Sequence, residues 1–486
     1  MKKRIQLLAV IMALVSPACM SDNETAKLEK SPPNIIYILA DDLGYGDLAC
    51  YGQEKFSTPR LDQLAKGGLR FTRHYSGSTV CAPSRSVLMT GLHTGHTPIR
   101  GNQEVRPEGQ WPMPDSAFTL AEGLKKAGYV TGVFGKWGLG FPGSEGDPLK
   151  QGFDRFFGYN CQRYAHRYYP AYLWDNSEKV YLEGNDWSTT KTYAPDLIQQ
   201  KAIEFIRKNK DTTFFAFVPM VIPHAELIVP EDEIFQQYQG KYPETAYVGR
   251  PGADYGPEMN ISMYCSQEHP HATFAAMVHR LDTHVGEIMD ILEELGLTEN
   301  TLIMFSSDNG PHMEGGADPD FFNSNGGLRG YKRDLYEGGI RVPFIASWPG
   351  TIPGGHISEH PSAFWDVLPT LAGVAGFAYG ECDGISFLPE LLGREQRKHS
   401  YLYWEFHEQG GKQALLVDHW KAVRLNVGED PSGPLELYKL DEDTGEENNL
   451  SKVNPDLVER FSRMMEEARE PSAKFNFGRR ENQEAP

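Results

Sequence analysis

Beyond its leader, this 486-residue sequence has no apolar run of the roughly 20 residues that a helix needs to cross a bilayer, so no membrane-spanning segment is expected. It has no basic stripe either. Its 47 Lys and Arg stand against 66 Asp and Glu, a formal net charge of −19. Neutralising phosphates takes clustered Lys and Arg, so nucleic acid is excluded as a partner. An anionic substrate is not excluded, because a bound cation and a few Lys or Arg can reverse the local sign. Cysteine is sparse: of the six, Cys50, Cys161, Cys265 and Cys382 show no regular spacing and read as buried free thiols rather than a disulfide framework. No internal repeat is visible, which removes stacked-repeat architectures.

What is present is an ordinary globular composition, 40% hydrophobic and 23% charged, in a chain long enough for one large core and a satellite. The start reads as a leader. Met1-Lys-Lys-Arg-Ile5 is basic, Leu7 to Val15 is a short apolar core, and Val15-Ser-Pro-Ala-Cys19 resembles a lipoprotein signal site with Cys19 as the lipidated residue. Pro17 departs from that pattern, so simple secretion with cleavage after Ala18 stays open. Residues 20–32 read as a polar tether. The expectation is an exported protein, periplasmic or anchored at the outer membrane, touching membrane only through Cys19.

Several apolar runs read as buried strands, each followed at once by polar residues. Asn34–Leu39 leads into Asp41-Asp42, Val130–Phe134 into Lys136, Phe214–Val218 towards His224, and Thr301–Phe305 into Asp308-Asn309. Helical spacing is seen in Thr273–Gly296, and in Ser116–Gly128 with Ser116 as N-cap. Strands alternating with helices predict an α/β fold: a large, mostly parallel sheet flanked by helices. Ligands in such folds sit beyond the C-terminal strand ends, where these polar clusters fall. After a helix-like stretch at Asp366–Gly376 the texture changes to short strands at Tyr401–Phe406, Gln413–Val417, Lys421–Leu425 and Leu435–Leu440. Residues 33–385 are therefore expected to form the main domain, and 386–486 a smaller C-terminal subdomain with an antiparallel sheet.

Asp41-Asp42 and Asp308-Asn309 are hard oxygen donors of the kind Ca²⁺ takes six to eight of. Either pair alone also fits turn capping after a strand. Cys81 stands in Ser78-Thr-Val-Cys81-Ala-Pro83-Ser84-Arg85, where Pro83 suits a first helical turn. At a helix N-terminus Cys81 is a candidate for an activated thiolate, and equally a packed free cysteine.

Cys81-Ala-Pro83-Ser84-Arg85 resembles the Cys-x-Pro-Ser-Arg signature of the type I sulfatases, in the alkaline-phosphatase-like superfamily. Asp41-Asp42, Gly135-Lys136-Trp137, Pro223-His224, Asp308-Asn309-Gly310 and Leu328-Arg-Gly-Tyr-Lys332…Tyr336-Glu-Gly-Gly-Ile-Arg341-Val-Pro343 resemble further family blocks in family order, over about residues 33–450. The resemblance implies a sulfatase in which a formylglycine-generating maturation enzyme converts Cys81, and the hydrated formylglycine attacks sulfur. It implies one Ca²⁺ held by Asp41, Asp42, Asp308 and Asn309. Arg85 would hold the formylglycine hydroxyls, Lys136 and Lys332 would neutralise sulfate, and His224 would protonate the leaving oxygen.

Two departures stand out. The family usually reads Gly-Lys-Trp-His, where this chain has Gly138; Asp308 or His312 then becomes the candidate base for sulfate release. The family often reads Leu-Thr-Gly-Arg after the signature, where this chain has Met89-Thr-Gly-Leu92. For substrate, the aromatic stretch Gly158–Trp174 offers Arg163, His166 and Tyr169, with His312 and, from the smaller subdomain, Glu405 and His407. Sulfated glycans with galactose or N-acetylgalactosamine residues are the expected substrates.

Overall fold

The computed structural model describes residues 32–185, 190–249 and 264–477, so the expected leader, Cys19 and nearly all of the tether lie outside the described residues. The strands are β1 Asn34–Ala40, β2 Leu69–Tyr75, β3 Val130–Lys136, β4 Arg155–Tyr159, β5 Tyr172–Asp175, β6 Glu178–Tyr181, β7 Phe214–Pro219, β8 Thr301–Ser307, β9 Arg341–Ser347, β10 His356–Ser358, β11 Ser362–Ala363, β12 Leu402–Phe406, β13 Lys412–Val417, β14 Trp420–Leu425 and β15 Leu435–Lys439. The large sheet runs β10-β2-β9-β8-β1-β7-β3-β4-β5-β6, with β11 beside β2. Its middle, β8-β1-β7-β3-β4, is wholly parallel. Antiparallel pairs appear towards the edges.

Both faces of that middle are covered, which is why its strands are apolar without alternation. In β1, Ile35, Tyr37 and Leu39 enter one core, while Ile36, Ile38 and Ala40 enter the other. Helices Cys81–Thr90, Leu120–Lys126 and Val367–Ala375 pack on the first face, and Pro59–Lys66, Ala194–Lys208 and Pro270–Glu294 on the second.

Two helix boundaries differ from expectation. The first helix begins after Thr119, not Ser116, because Thr119 and Glu122 form a reciprocal capping box. The long helix starts at Pro270, whose fixed φ suits a first turn, and ends at Glu294. Gly296 then turns the chain with φ +68.

The smaller sheet, β12-β13-β14-β15, is antiparallel throughout. One face, with Leu402, Trp404, Ala414 and Val423, joins the main core. The other, with Tyr403, Leu415 and Leu437, packs on Phe461 and Met465 of helix Pro455–Glu467. Trp404 Nε1 donates to the Ser76 carbonyl at 2.9 Å, five residues before Cys81. A buried ion pair adds to the joint: Lys421 Nζ meets Glu337 Oε1 at 2.8 Å, and the Glu337 N–H donates to Glu446 Oε2 at 2.7 Å. Removing one partner of a buried pair strands the other charge. Lys421→Met is therefore expected to lower unfolding stability by about 3–5 kcal/mol in chemical denaturation; a loss under about 1 kcal/mol would show that the joint does not depend on this pair.

Candidate active site

Register alone brings the two acidic pairs together. β1 and β8 run parallel with Ala40 opposite Ser307, so Asp41-Asp42 and Asp308-Asn309 leave adjacent strands side by side. The Asp308 N–H donates to the Ala40 carbonyl at 3.1 Å, and the Asp42 N–H to Asp308 Oδ1 at 3.1 Å. Asp42 adopts φ +63, a left-handed conformation uncommon outside glycine. Asn309 Nδ2 holds it there by donating to Asp42 Oδ1 at 2.7 Å. Strain of this kind persists where its surroundings fix it, typically at functional sites.

β3 delivers Lys136 from the other side of β7. Its approach requires glycine at 135, where φ is +135 and a Cβ would stand 1.9 Å from the Pro219 carbonyl oxygen. Lys136 Nζ donates to Asp41 Oδ2 at 2.6 Å and to Cys81 Sγ at 3.3 Å. Cys81 opens helix Cys81–Thr90, 3.5 Å from Asp41 Oδ1. One turn on, Arg85 donates to Asp308 Oδ2 through Nε at 3.1 Å and through a terminal nitrogen at 2.8 Å, and also bonds the Lys136 carbonyl. On the opposite wall Lys332 Nζ donates to Asp42 Oδ2 at 2.7 Å and to His224 Nε2 at 2.8 Å.

The cluster is almost dry, and its ionisation follows from that. Burial, reinforced by Asp41, pushes Asp308 up to about 7. Burial also acts on Asp42, yet Lys332 and His312 hold that carboxyl below its ordinary value. Burial pushes the Cys81 thiol well up, with Asp41 and Asp308 adding to it against Lys136 and Lys332. Of the two readings of Cys81 alone, the activated thiolate is thus disfavoured: desolvation outweighs the helix end. His224 is driven well below its ordinary value by burial, then by Lys332 and Lys136. Its Nδ1 faces the Ala225 carbonyl, so Nε2 is left to accept from Lys332.

The donor set suits a hard cation. Asp41, Asp42 and Asp308 offer carboxylate oxygens, and the buried Asn309 Oδ1 has no hydrogen-bond partner. A buried amide oxygen left open beside three carboxylates is what a Ca²⁺-like ion would complete.

The residues expected to read substrate divide. His166 lies at the cluster, its ring stacked on His224 with centroids 4.3 Å apart. His312 is there too but is fully used: Nε2 meets the Pro223 carbonyl at 3.1 Å, and Nδ1 accepts from the Glu314 N–H at 3.2 Å. With both ring nitrogens engaged by the backbone, it has no open nitrogen to serve as the base. Arg163 is drawn away to Glu104, at 3.5 Å. Tyr169 packs against Tyr193 and lines a different cleft, with Asp196 and Asp232. Glu405 is fully buried, with Arg100, Arg469, Tyr403 and His407 all on its carboxylate, so neither it nor His407 is free to meet a sugar here.

Sequence reasoning missed Glu314, which bonds Lys332 Nζ at 3.2 Å and pairs with Arg333. Its place two residues after His312 and five after Asn309 was the available signal.

The chain is similar to known proteins along most of its length. A family model described as Sulfatase matches residues 33–377. The chain is 32% identical to arylsulfatase A of Homo sapiens, over 92% of this chain and 90% of that protein. It is 29% identical to N-acetylgalactosamine-6-O-sulfatase of Bacteroides thetaiotaomicron, over 89% of this chain and 92% of that one. Among solved structures it resembles one described under the metabolism of multiple glycosaminoglycans by Bacteroides thetaiotaomicron, with TM-score 0.72 and 26% identity, over 90% of this chain and 99% of that one. It also resembles Ps i-CgsB, solved with k-i-k-neocarrahexaose, with TM-score 0.73 and 27% identity, over 90% and 92% of the two chains. The matched span carries every side chain of the cluster, and with it the chain belongs to the sulfatase family, sulfuric ester hydrolases of alkaline-phosphatase-like fold.

Proposed function

We propose that this protein is an exported glycan sulfatase that removes O-sulfate from galactose- or N-acetylgalactosamine-type residues, with formylglycine at position 81 and one Ca²⁺. The observation that carries this reading is the convergence of Cys81, Lys136 and Arg85 on the Asp41–Asp308 carboxylates, opposite the Lys332–His224 pair. The relatives named for N-acetylgalactosamine-6-sulfate chemistry support the sugar class. The leader sequence supports export, with Cys19 as a lipid anchor and residues 20–32 as its tether. Residues 33–385 form the catalytic domain and 386–486 the subdomain that closes on it.

Asp41, Asp42, Asp308 and Asn309 hold the Ca²⁺, which when bound supplies a Lewis acid for the sulfate oxygens. Formylglycine supplies a hydrated aldehyde as oxygen nucleophile, a role the buried, neutral Cys81 thiol does not fill. A maturation enzyme provides that conversion.

The chain's own residues do the rest. Arg85 ties Asp308 to the Lys136 carbonyl and so fixes the floor under position 81. Lys136 and Lys332 face sulfate from opposite sides and stabilise its charge without reorganisation. His224 starts neutral, accepting from Lys332; an arriving sulfate anion strengthens the case for a proton on Nε2. The Lys332–His224 pair then delivers that proton to the leaving sugar oxygen. Against burial, Asp42 and then Glu314 keep Lys332 charged, and Glu314 helps to orient it. His166, stacked on His224, borders the leaving group and reads its hydroxyls.

Turnover of a 6-sulfated N-acetylgalactosamine oligosaccharide tests the reading. Cys81→Ala is expected to reduce it by about three orders of magnitude or more, with the fold retained. Mass spectrometry of the active enzyme should find an aldehyde at position 81; an unmodified thiol in active enzyme would contradict the assignment. Chelation is expected to abolish activity, and Ca²⁺ to restore it better than Mg²⁺, because the carboxylate–amide set is flexible and oxygen-rich. Activity unaffected by chelation would remove the cation from the account.

A further inference from the structure

Glu314 joins the buried floor of the site to its rim. Its Oε2 accepts from Lys332 Nζ at 3.2 Å and from the Tyr264 hydroxyl at 3.0 Å, and stands 3.9 Å from His224 Nε2. Its Oε1 pairs with Arg333 Nη1 at 2.5 Å. One carboxylate thus links the cation assigned to sulfate with a second cation, the next residue in the chain. The two differ in exposure: the Lys332 side chain is 4% exposed and that of Arg333 31%. Outward from Asp42 the order is Lys332, Glu314, Arg333 and then solvent.

The backbone holds Arg333 in an uncommon state. Its φ is +76, a left-handed conformation that a long side chain rarely adopts. Both sides of the residue are tied down. Its N–H donates to the Thr79 carbonyl at 3.1 Å, and its own carbonyl accepts from Lys412 Nζ at 2.6 Å. Thr79 stands two residues before Cys81, so Arg333 is fixed to the segment that carries the nucleophile position. Residues kept in sparse backbone regions by their surroundings cluster at ligand clamps and active sites.

The guanidinium has capacity to spare. It presents several N–H donors in a planar fork that matches an oxyanion such as a carboxylate. Its partner Glu314 is shared with Lys332 and Tyr264, and Glu408 of the smaller subdomain adds only a weaker attraction. No other hydrogen bond from this guanidinium occurs among the described residues. A chain of net charge −19 repels polyanions at long range, so attraction must come from cations local to the site. Lys136 and Lys332 are committed to the sulfate being removed. Arg333 is not.

We propose that Arg333 is a specificity-determining residue, pairing with an anionic group on the sugar next to the one that loses sulfate. That group is a carboxylate or a further sulfate ester. The proposal rests on the sulfatase reading and narrows its substrate class to glycans with acidic groups on adjacent sugars. Arg333 lies beyond His224 by the width of the Glu314 carboxylate, so it reaches past the sugar whose oxygen His224 protonates.

Three oligosaccharides ending in N-acetylgalactosamine 6-sulfate test this on the full chain, with formylglycine confirmed by mass spectrometry and Ca²⁺ present. The neighbouring sugar is neutral in one, carries a carboxylate in the second and a sulfate in the third. An acidic neighbour should raise kcat/KM by about five- to tenfold over the neutral one, the effect of a partly exposed charge-assisted pair. Whichever acidic substrate is favoured identifies the group that Arg333 reads. Arg333→Asn suits the left-handed φ and should bring the ratio to about one. Arg333→Lys keeps the charge without the fork and should fall between. A ratio between substrates cancels any general loss of active enzyme, and the melting temperature checks the fold. Rates indifferent to the neighbouring sugar in the unsubstituted enzyme would overturn the role of Arg333 and leave the sulfatase reading intact. An acidic preference undiminished in Arg333→Asn would do the same. Formylglycine-bearing enzyme that desulfates none of the three would count against both.

Discussion

Three carboxylates, Asp41, Asp42 and Asp308, are held out of water within reach of three cationic side chains, Arg85, Lys136 and Lys332. Desolvating so many charges is unfavourable unless geometry and hydrogen bonding are nearly complete. Much of the surrounding architecture serves that requirement. The β1–β8 register sets the acids together, Gly135 admits β3, and the loop carrying Lys332 is braced by contacts from the smaller sheet. Lys412 Nζ, for example, donates to the Arg333 carbonyl at 2.6 Å and to Asp334 Oδ1 at 2.8 Å. The smaller subdomain therefore belongs to the site's support as much as to its boundary.

That balance of charge also bears on how the cluster would accommodate the proposed ion. A divalent cation alone would leave it positive, and sulfate alone would leave it negative. Together they enter with little net change, so cation and sulfate should help one another in. His224 fits the same logic. It stays neutral while burial, Lys332 and Lys136 outweigh the Asp42 and Glu314 carboxylates beside it, and becomes a better home for a proton once a further anion arrives.

The strands and the acidic pairs were legible in the sequence because both are local signals. Four apolar runs ending in polar residues gave β1, β3, β7 and β8, and parallel register then did the rest. The helix starting after Thr119 was misplaced by three residues because Ser116 also looks like a cap, and only the reciprocal bond with Glu122 separates them. Glu405 and His407 looked like pocket residues for want of their partners: Arg100 and Arg469 are more than sixty residues away in either direction.

On the proposed reading, one buried cluster binds a divalent cation and sulfate as a mutually compensating pair. The direct measurement is the Ca²⁺ dissociation constant by calorimetry, with and without saturating inorganic sulfate, on the full chain. Sulfate should tighten Ca²⁺ binding by roughly 5- to 150-fold, the usual span of such coupling, and Ca²⁺ should tighten sulfate by the same factor. Identical Ca²⁺ affinity with and without sulfate would contradict it.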